Sequence, residues 1–323
     1  MANFLGNANG DGPESKAAAL EAIEAATEAG DAPTLAFAHG RVAQADLNDG
    51  RDDEAGERFA TALRLAEASR DTMVLANACM ALGGFLFNRR DWKASDSHFA
   101  RIEAAGGQYT ALSRWGRAEI AMHTGGFPVA QVHLNGLAEG ITSGHLPGRF
   151  SLWHQLGQGN LSRLEGRTEV ASACFREALA NELEANNRFP LRALIGLAMM
   201  DGMAGPGGSA RALLARALAI VPDVNSLHSP LPAVVAAVAE LVVESDAERG
   251  ALIWAMAACL GNRARYHPMY AQDVARITEI VDQAREAHGI PVPDVPDDLT
   301  ASDAIAQCLE ALASMDATQA VTQ

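Results

Sequence analysis

The sequence predicts an all-α protein built of antiparallel helix pairs stacked one on the next, and three observations carry that expectation. Nearly half of the 323 residues are hydrophobic (49%) while aromatics make up only 5%. The apolar mass is Ala and Leu, which suit helices, rather than the Val, Ile, Tyr and Phe that strands favour. The second observation is a repeat: a small residue recurs at Ala55, Ser95, Ala130, Ala171 and Ala210, at intervals of 40, 35, 41 and 39 residues. Four residues later each copy has a large apolar side chain, and three beyond that another apolar one: Phe59 and Ala62, Phe99 and Ile102, Leu134 and Leu137, Phe175 and Ala178, Leu214 and Ala217. The third is turn chemistry ahead of every copy: Gly50-Arg-Asp-Asp, Arg90-Asp-Trp-Lys, Gly125-Gly-Phe-Pro, Gly166-Arg-Thr-Glu and Gly205-Pro-Gly-Gly.

Taken in order, residues 1–15 concentrate Gly, Asn, Asp and Pro and are expected to be a disordered arm. Residues 16–30 form one amphipathic helix closed by Gly30. The repeats then run to residue 262. Two helices of about a dozen residues with two turns fill such a period, and the small residue belongs where the two backbones meet. The large residue four later lies on the same face one turn on, where it fills the gap to the next pair. Each first helix has its own small residue after an apolar one, at Leu82-Gly83, Trp115-Gly116, Leu156-Gly157 and Ile195-Gly196. A weaker sixth copy puts Ala251, Ala255 and Ala258 in the slots. Pro222 closes the fifth unit, and Pro222 to Pro232 reads as a connector. Residues 263–315 are expected to be capping helices, interrupted by Ile290 to Asp298, whose three prolines make it a turn or an extended connector, and 316–323 a flexible tail.

The Leu-Gly, turn, Ala, aromatic, Ala pattern resembles the tetratricopeptide repeat over about residues 33–260. That resemblance implies a right-handed superhelical solenoid of about five to six repeats, used for interaction. The segments Ala247–Gly261, Tyr270–Gly289 and Leu299–Leu309 are similar to the closing part of the LuxR-type and SARP-type bacterial regulators: an Ala-rich helix ending Leu-Gly, a long helix, then a short one. The resemblance implies a regulatory role. It does not bring the ATPase of those regulators with it, because no Gly-x-x-x-x-Gly-Lys-Ser/Thr occurs and the only lysines are Lys16 and Lys93. No basic recognition helix follows the repeats either.

A formal net charge of −15 repels phosphate backbones and argues against direct nucleic-acid binding. The longest apolar run, Leu231 to Val243, is interrupted by Pro232 and Glu240 and is too short for a membrane span. The opening residues have no basic segment followed by an apolar core, so no secretory signal is expected and the cytoplasm is the expected location. Cys79, Cys174, Cys259 and Cys308 stand singly in Ala/Leu-rich segments and read as small buried hydrophobes. His123, His133, His145 and His154 have no metal-ligand spacing, and no metal or cofactor is expected. Gly205-Pro-Gly-Gly208 lacks the strand and lysine of a phosphate loop and reads as a turn, and Asp294-Val-Pro-Asp-Asp298 reads as a solvated linker.

Stacked pairs leave a groove lined by first helices, and counting back from the turns points Trp115, Glu119 and His123, then Trp153, Asn160 and Arg163, then Arg192 and Met199 into it. Aromatic anchors beside a few polar groups suit a protein, peptide or small-effector site. Trp115 and Trp153 equally suit inter-helix core, and Arg163 and Arg192 suit either a ligand carboxylate or a partner such as Glu119. The expected function is a non-enzymatic interaction module, and a homodimer is compatible with it. The alternative is an enzyme with His123 or His154 as acid/base in the same cavity.

Overall fold

The computed structural model describes residues 13–107, 109–182, 190–203, 208–221, 230–263 and 269–321. Among them the chain is helical with no strand, and it divides into two compact units, Met1–Phe150 and Ser151–Gln323.

The first unit contains α1 (Pro13–Ala29), α2 (Ala32–Asn48), α3 (Asp52–Ser69), α4 (Thr72–Asn88), α5 (Trp92–Ala105), α6 (Thr110–His123), α7 (Phe127–Thr142) and a short 3-10 turn at Gly148–Phe150. Each helix packs on the next, and α2 also reaches α4, the stacking expected of successive pairs. The starts of α2, α4 and α5 are set by acidic caps. Asp31 accepts from the Thr34 amide, Asp71 from Met73 and Val74, and Asp91 from Ala94, which satisfies amides that have no partner in the first turn. The turns inside the pairs need a left-handed residue, supplied by Gly50, Gly125 and Gly166 and, at the same position of the second pair, by Arg90 at φ 60°. α1 is pinned by charge. The Asp46 carboxylate, buried on α2, takes Lys16 of α1 at 2.9 Å, Arg51 at 2.5 Å and Arg58 of α3 at 2.8 Å. Burial alone would raise its pKa, but the hydrogen bonds from Arg51 and Lys16 hold it below the usual carboxylate range.

The second unit contains α8 (Ser151–Leu164), α9 (Thr168–Glu182), α10 (Pro190–Met203), α11 (Gly208–Ile220), α12 (Leu231–Val242), α13 (Ala247–Arg263), α14 (Ala271–His288) and α15 (Ala301–Val321). Its first two pairs stack like those of the first unit. α12 does something different: it packs against α10, α11, α13, α14 and α15, and nearly every one of its residues is buried. An all-round apolar helix can be stable only when surrounded in this way. Pro232 lies in its first turn, where no amide is needed, so it starts this helix rather than breaking an apolar run. α15 is tied to α13 through Arg249, which reaches Glu310 at 3.2 Å and Ser314 at 3.0 Å. It continues to Val321, into the segment read from sequence as a tail, because nothing in this Ala-containing stretch is Gly or Pro. Residues 290–296 have no regular structure and Asp297–Asp298 form a turn, so this stretch separates α14 from α15; Pro222 and Gly205–Gly207 lie outside the described residues.

All fifteen side chains in the slots of the five main copies are at most 2% exposed. The contacts explain the residue sizes. A Cβ on Gly83 would stand 2.9 Å from the Phe99 ring, and the Phe175 ring lies between Gly159 of its own pair and Gly196 of the next, where added Cβ atoms would meet it at 2.7 and 2.5 Å. Ser95 fits its slot by donating to the Gly83 carbonyl at 2.8 Å. In the sixth copy Ala251 is buried but Ala258 is exposed, so only the start of the pattern survives where α14 and α15 take over the packing. Among the described residues no helix is long and apolar enough to cross a membrane.

Gly196→Ala should therefore lower stability by about 1–3 kcal/mol through overpacking against Phe175. Urea unfolding measures this; an unchanged midpoint would contradict the contact.

Candidate functional site

The eight residues assigned to the groove fall in both units, and each unit holds its own set. In the first, Trp115, Glu119 and His123 follow one stripe of α6 at four-residue spacing. Trp115 and Glu119 are each 1% exposed. His123, half-buried at the end of the helix, stacks on Trp92 with centroids 4.9 Å apart and planes at 12°, while Phe87 meets both rings edge-on. An aromatic cluster thus joins the ends of α4 and α6 to the start of α5.

In the second unit Trp153 and Met199 are buried, Asn160 and Arg192 half-buried, and Arg163 buried. The Arg163 guanidinium on α8 grips Asp273 on α14 with both ends, Nη1 to Oδ1 at 2.5 Å and Nη2 to Oδ2 at 2.8 Å. Tyr270 lies under it, with the ring centroid 5.8 Å from Cζ. Arg276 extends the cluster, bonding Glu240 of α12 and approaching Asp273 at 3.8 Å. Burial alone would depress Arg163, but the Asp273 carboxylate outweighs that and keeps it charged. A bidentate carboxylate contact was legible for Arg163 as a chemical capacity. Its partner, 110 residues away, carried no sequence signal.

Other titratable groups are set chiefly by burial. It holds His39, His98, His133 and His154 below the ordinary histidine value, with help from Arg58 and Arg64 at His39, Arg101 at His98 and Arg117 at His133. Burial pushes the Cys308 thiol up to about 12 and raises Cys79 and Cys174, the opposite of what a nucleophile needs. His145 pairs with Ser143 at 2.7 Å on an exposed turn. Among the described residues no three His, Cys, Asp or Glu side chains are arranged to hold a metal ion.

Two variants test the ion pair. Asp273→Ala strands a buried guanidinium and should cost about 3–5 kcal/mol, whereas Arg163→Met with Asp273→Leu should return to within about 1–2 kcal/mol of the parent. A double-mutant cycle by denaturant unfolding decides it. The histidines set a pH dependence. Their folded pKa values lie below the unfolded value of about 6.5, so the unfolded chain binds protons first and stability is lost as pH falls from about 7.5 towards 5. Melting curves across that window should show a falling midpoint, and His154→Gln should flatten the slope.

No protein-family model matches this chain, and no curated protein matches its sequence. Solved structures do. A tetratricopeptide repeat protein from Parabacteroides merdae ATCC 43184 superposes over 83% of this chain and 99% of its own, with TM-score 0.53 and 12% identity. Yeast Tom70 matches over 86% of this chain and 60% of its own, with TM-score 0.50 and 12% identity. At that identity the likeness is one of fold: the helix pairs are those of tetratricopeptide-repeat solenoids.

Proposed function

We propose that this chain is a tetratricopeptide-like interaction module that binds a protein, a peptide or a small effector on its first-helix surface and performs no chemistry of its own. The observation that supports this most is the repeat: a small, a large and an apolar residue buried in the same slots of five pairs, which leaves the other helix faces free to vary for recognition. The raised thiols of Cys79, Cys174 and Cys308 add support, since burial keeps them protonated, the unreactive form, at neutral pH. The closing helices, with their similarity to the LuxR-type and SARP-type regulators, support a regulatory role in the cytoplasm. Of the groove residues, we assign contact with the ligand to those that keep partial exposure: His123 in the first unit, Asn160 and Arg192 in the second. Trp115, Glu119, Trp153 and Met199 would shape the floor beneath them.

Thermal-shift screening of the full chain against peptide and metabolite libraries tests this reading. A true ligand at a hundred times its Kd adds about 2.7 kcal/mol, a shift of several degrees, and is recovered unchanged. Asn160→Ala, Arg192→Ala or His123→Ala should reduce the shift. Conversion of a hit to product would overturn the binding-only reading, and a shift that all three variants retain would overturn the residue assignment.

A further inference from the structure

Forty residues before the first slots, Ser15, Ala19 and Ala22 of α1 stand where Ala55, Phe59 and Ala62 stand in α3. α1 thus has the pattern of a second helix, packed on α2 as α3 is packed on α4. One slot departs from the pattern. The large side chain that fills the gap to the next pair in the five main copies is here a methyl group, that of Ala19. Among the described side chains of α1 only Ala19 and Ala26 are buried; Ala22 and Ile23 are half-buried, and Leu20 is 41% exposed. Burying so little apolar surface holds a helix weakly.

Charge supplies the rest of the attachment. Lys16 Nζ donates to Asp46 Oδ1 at 2.9 Å and to Asp49 Oδ2 at 3.1 Å, and Arg41 Nη2 of α2 donates to Ser15 Oγ at 3.0 Å. The bond to Asp46 raises the Lys16 pKa, which keeps the ammonium charged while α1 is docked. On α2, Ala38 and Val42 are buried on the stripe that leads to Asp46, the side that α1 covers. Ala36, Ala43 and Leu47, on the other side, belong to clusters with α3 and α4, so α2 has its own packing without α1. Asp46 also holds Arg51 and Arg58, and Asp49 holds Arg51, so the departure of Lys16 orphans neither carboxylate.

We propose that α1 is a detachable strap latched by the Lys16 ammonium, and that Lys16 is a modification site at which acylation of Nζ releases the strap and uncovers Ala38 and Val42. An acyl thioester supplies the group. Once α1 has lifted and Nζ has lost a proton to solvent, the amine attacks the thioester carbonyl carbon; the C–N bond forms, the C–S bond breaks, and the thiolate leaves with the second amine proton. The amide that results has no charge and one N–H, so it cannot bridge both aspartates, and the strap stays off.

Hydrogen exchange of the full chain, read by mass spectrometry, tests the strap. Lys16→Gln should speed exchange of the α1 amides about tenfold and leave α3 to α7 unchanged, while Lys93→Gln, at an exposed position of α5, should change nothing. Raising the salt concentration should speed α1 in the parent as well. N-hydroxysuccinimidyl acetate gives a second readout. Lys16 should react about tenfold more slowly than Lys93 and gain on it as salt rises, and the Lys93→Gln chain acetylated at Lys16 should exchange in α1 as Lys16→Gln does. Parent-like exchange of α1 in Lys16→Gln, or acetylation of Lys16 as fast as that of Lys93, overturns the proposal. So does a loss of protection in Lys16→Gln that spreads through α3 to α7, because α1 would then be part of the scaffold and not a strap.

Discussion

At each point where two helices of a pair cross, the chain places a methyl, a hydroxymethyl or a single hydrogen, and the stacking within each unit follows from that. Small side chains at Ala55, Ser95, Ala130, Ala171 and Ala210 let the backbones close, and a large neighbour one turn later fills the space to the next pair. The Phe175 ring shows how narrow the tolerance is, with glycines of two different helices against its edges. Interiors packed to this density transmit size changes rather than absorb them, so the slots fix both spacing and register.

Hydrophobic slots cannot by themselves say where a stack begins or ends, since every pair offers the next the same surface. Charge serves that purpose here. At the start, Asp46 gathers three cations and so attaches α1 to the first pair. In the second unit, Arg163 and Asp273 tie α8 to α14 while Arg276 and Glu240 tie α14 to α12. α14 buries only Asp273, Ile277 and Val281, one narrow stripe, so directional bonds contribute much of its placement. The desolvation cost of such pairs means that they specify arrangement more than they add stability.

The same division separates scaffold from recognition. Side chains in the slots are buried and confined by their neighbours, whereas Phe37 and Met73 stand largely outside the core and Asp31 and Asp71 cap their own helices. His123, Asn160 and Arg192 are partly enclosed.

Composition and the forty-residue rhythm were enough to determine the helices, their pairing and the identity of nearly every slot, because each of these depends on neighbours within about one repeat. The caps and the left-handed turns were equally local, whereas α1 begins at Pro13, inside the segment expected to be a disordered arm, because proline suits the first position of a helix. What lay beyond the sequence was any relation spanning several repeats. Trp115 and Glu119 stand on the stripe that periodicity gave them, yet the stripe alone did not say that both would be buried. Arg163 advertised a taste for carboxylates, and only the folded chain decided that Asp273 would satisfy it. α12 read as an apolar run with a proline in it; its place among five other helices came from tertiary packing, since periodicity records which face of a helix is apolar but not what arrives to cover it.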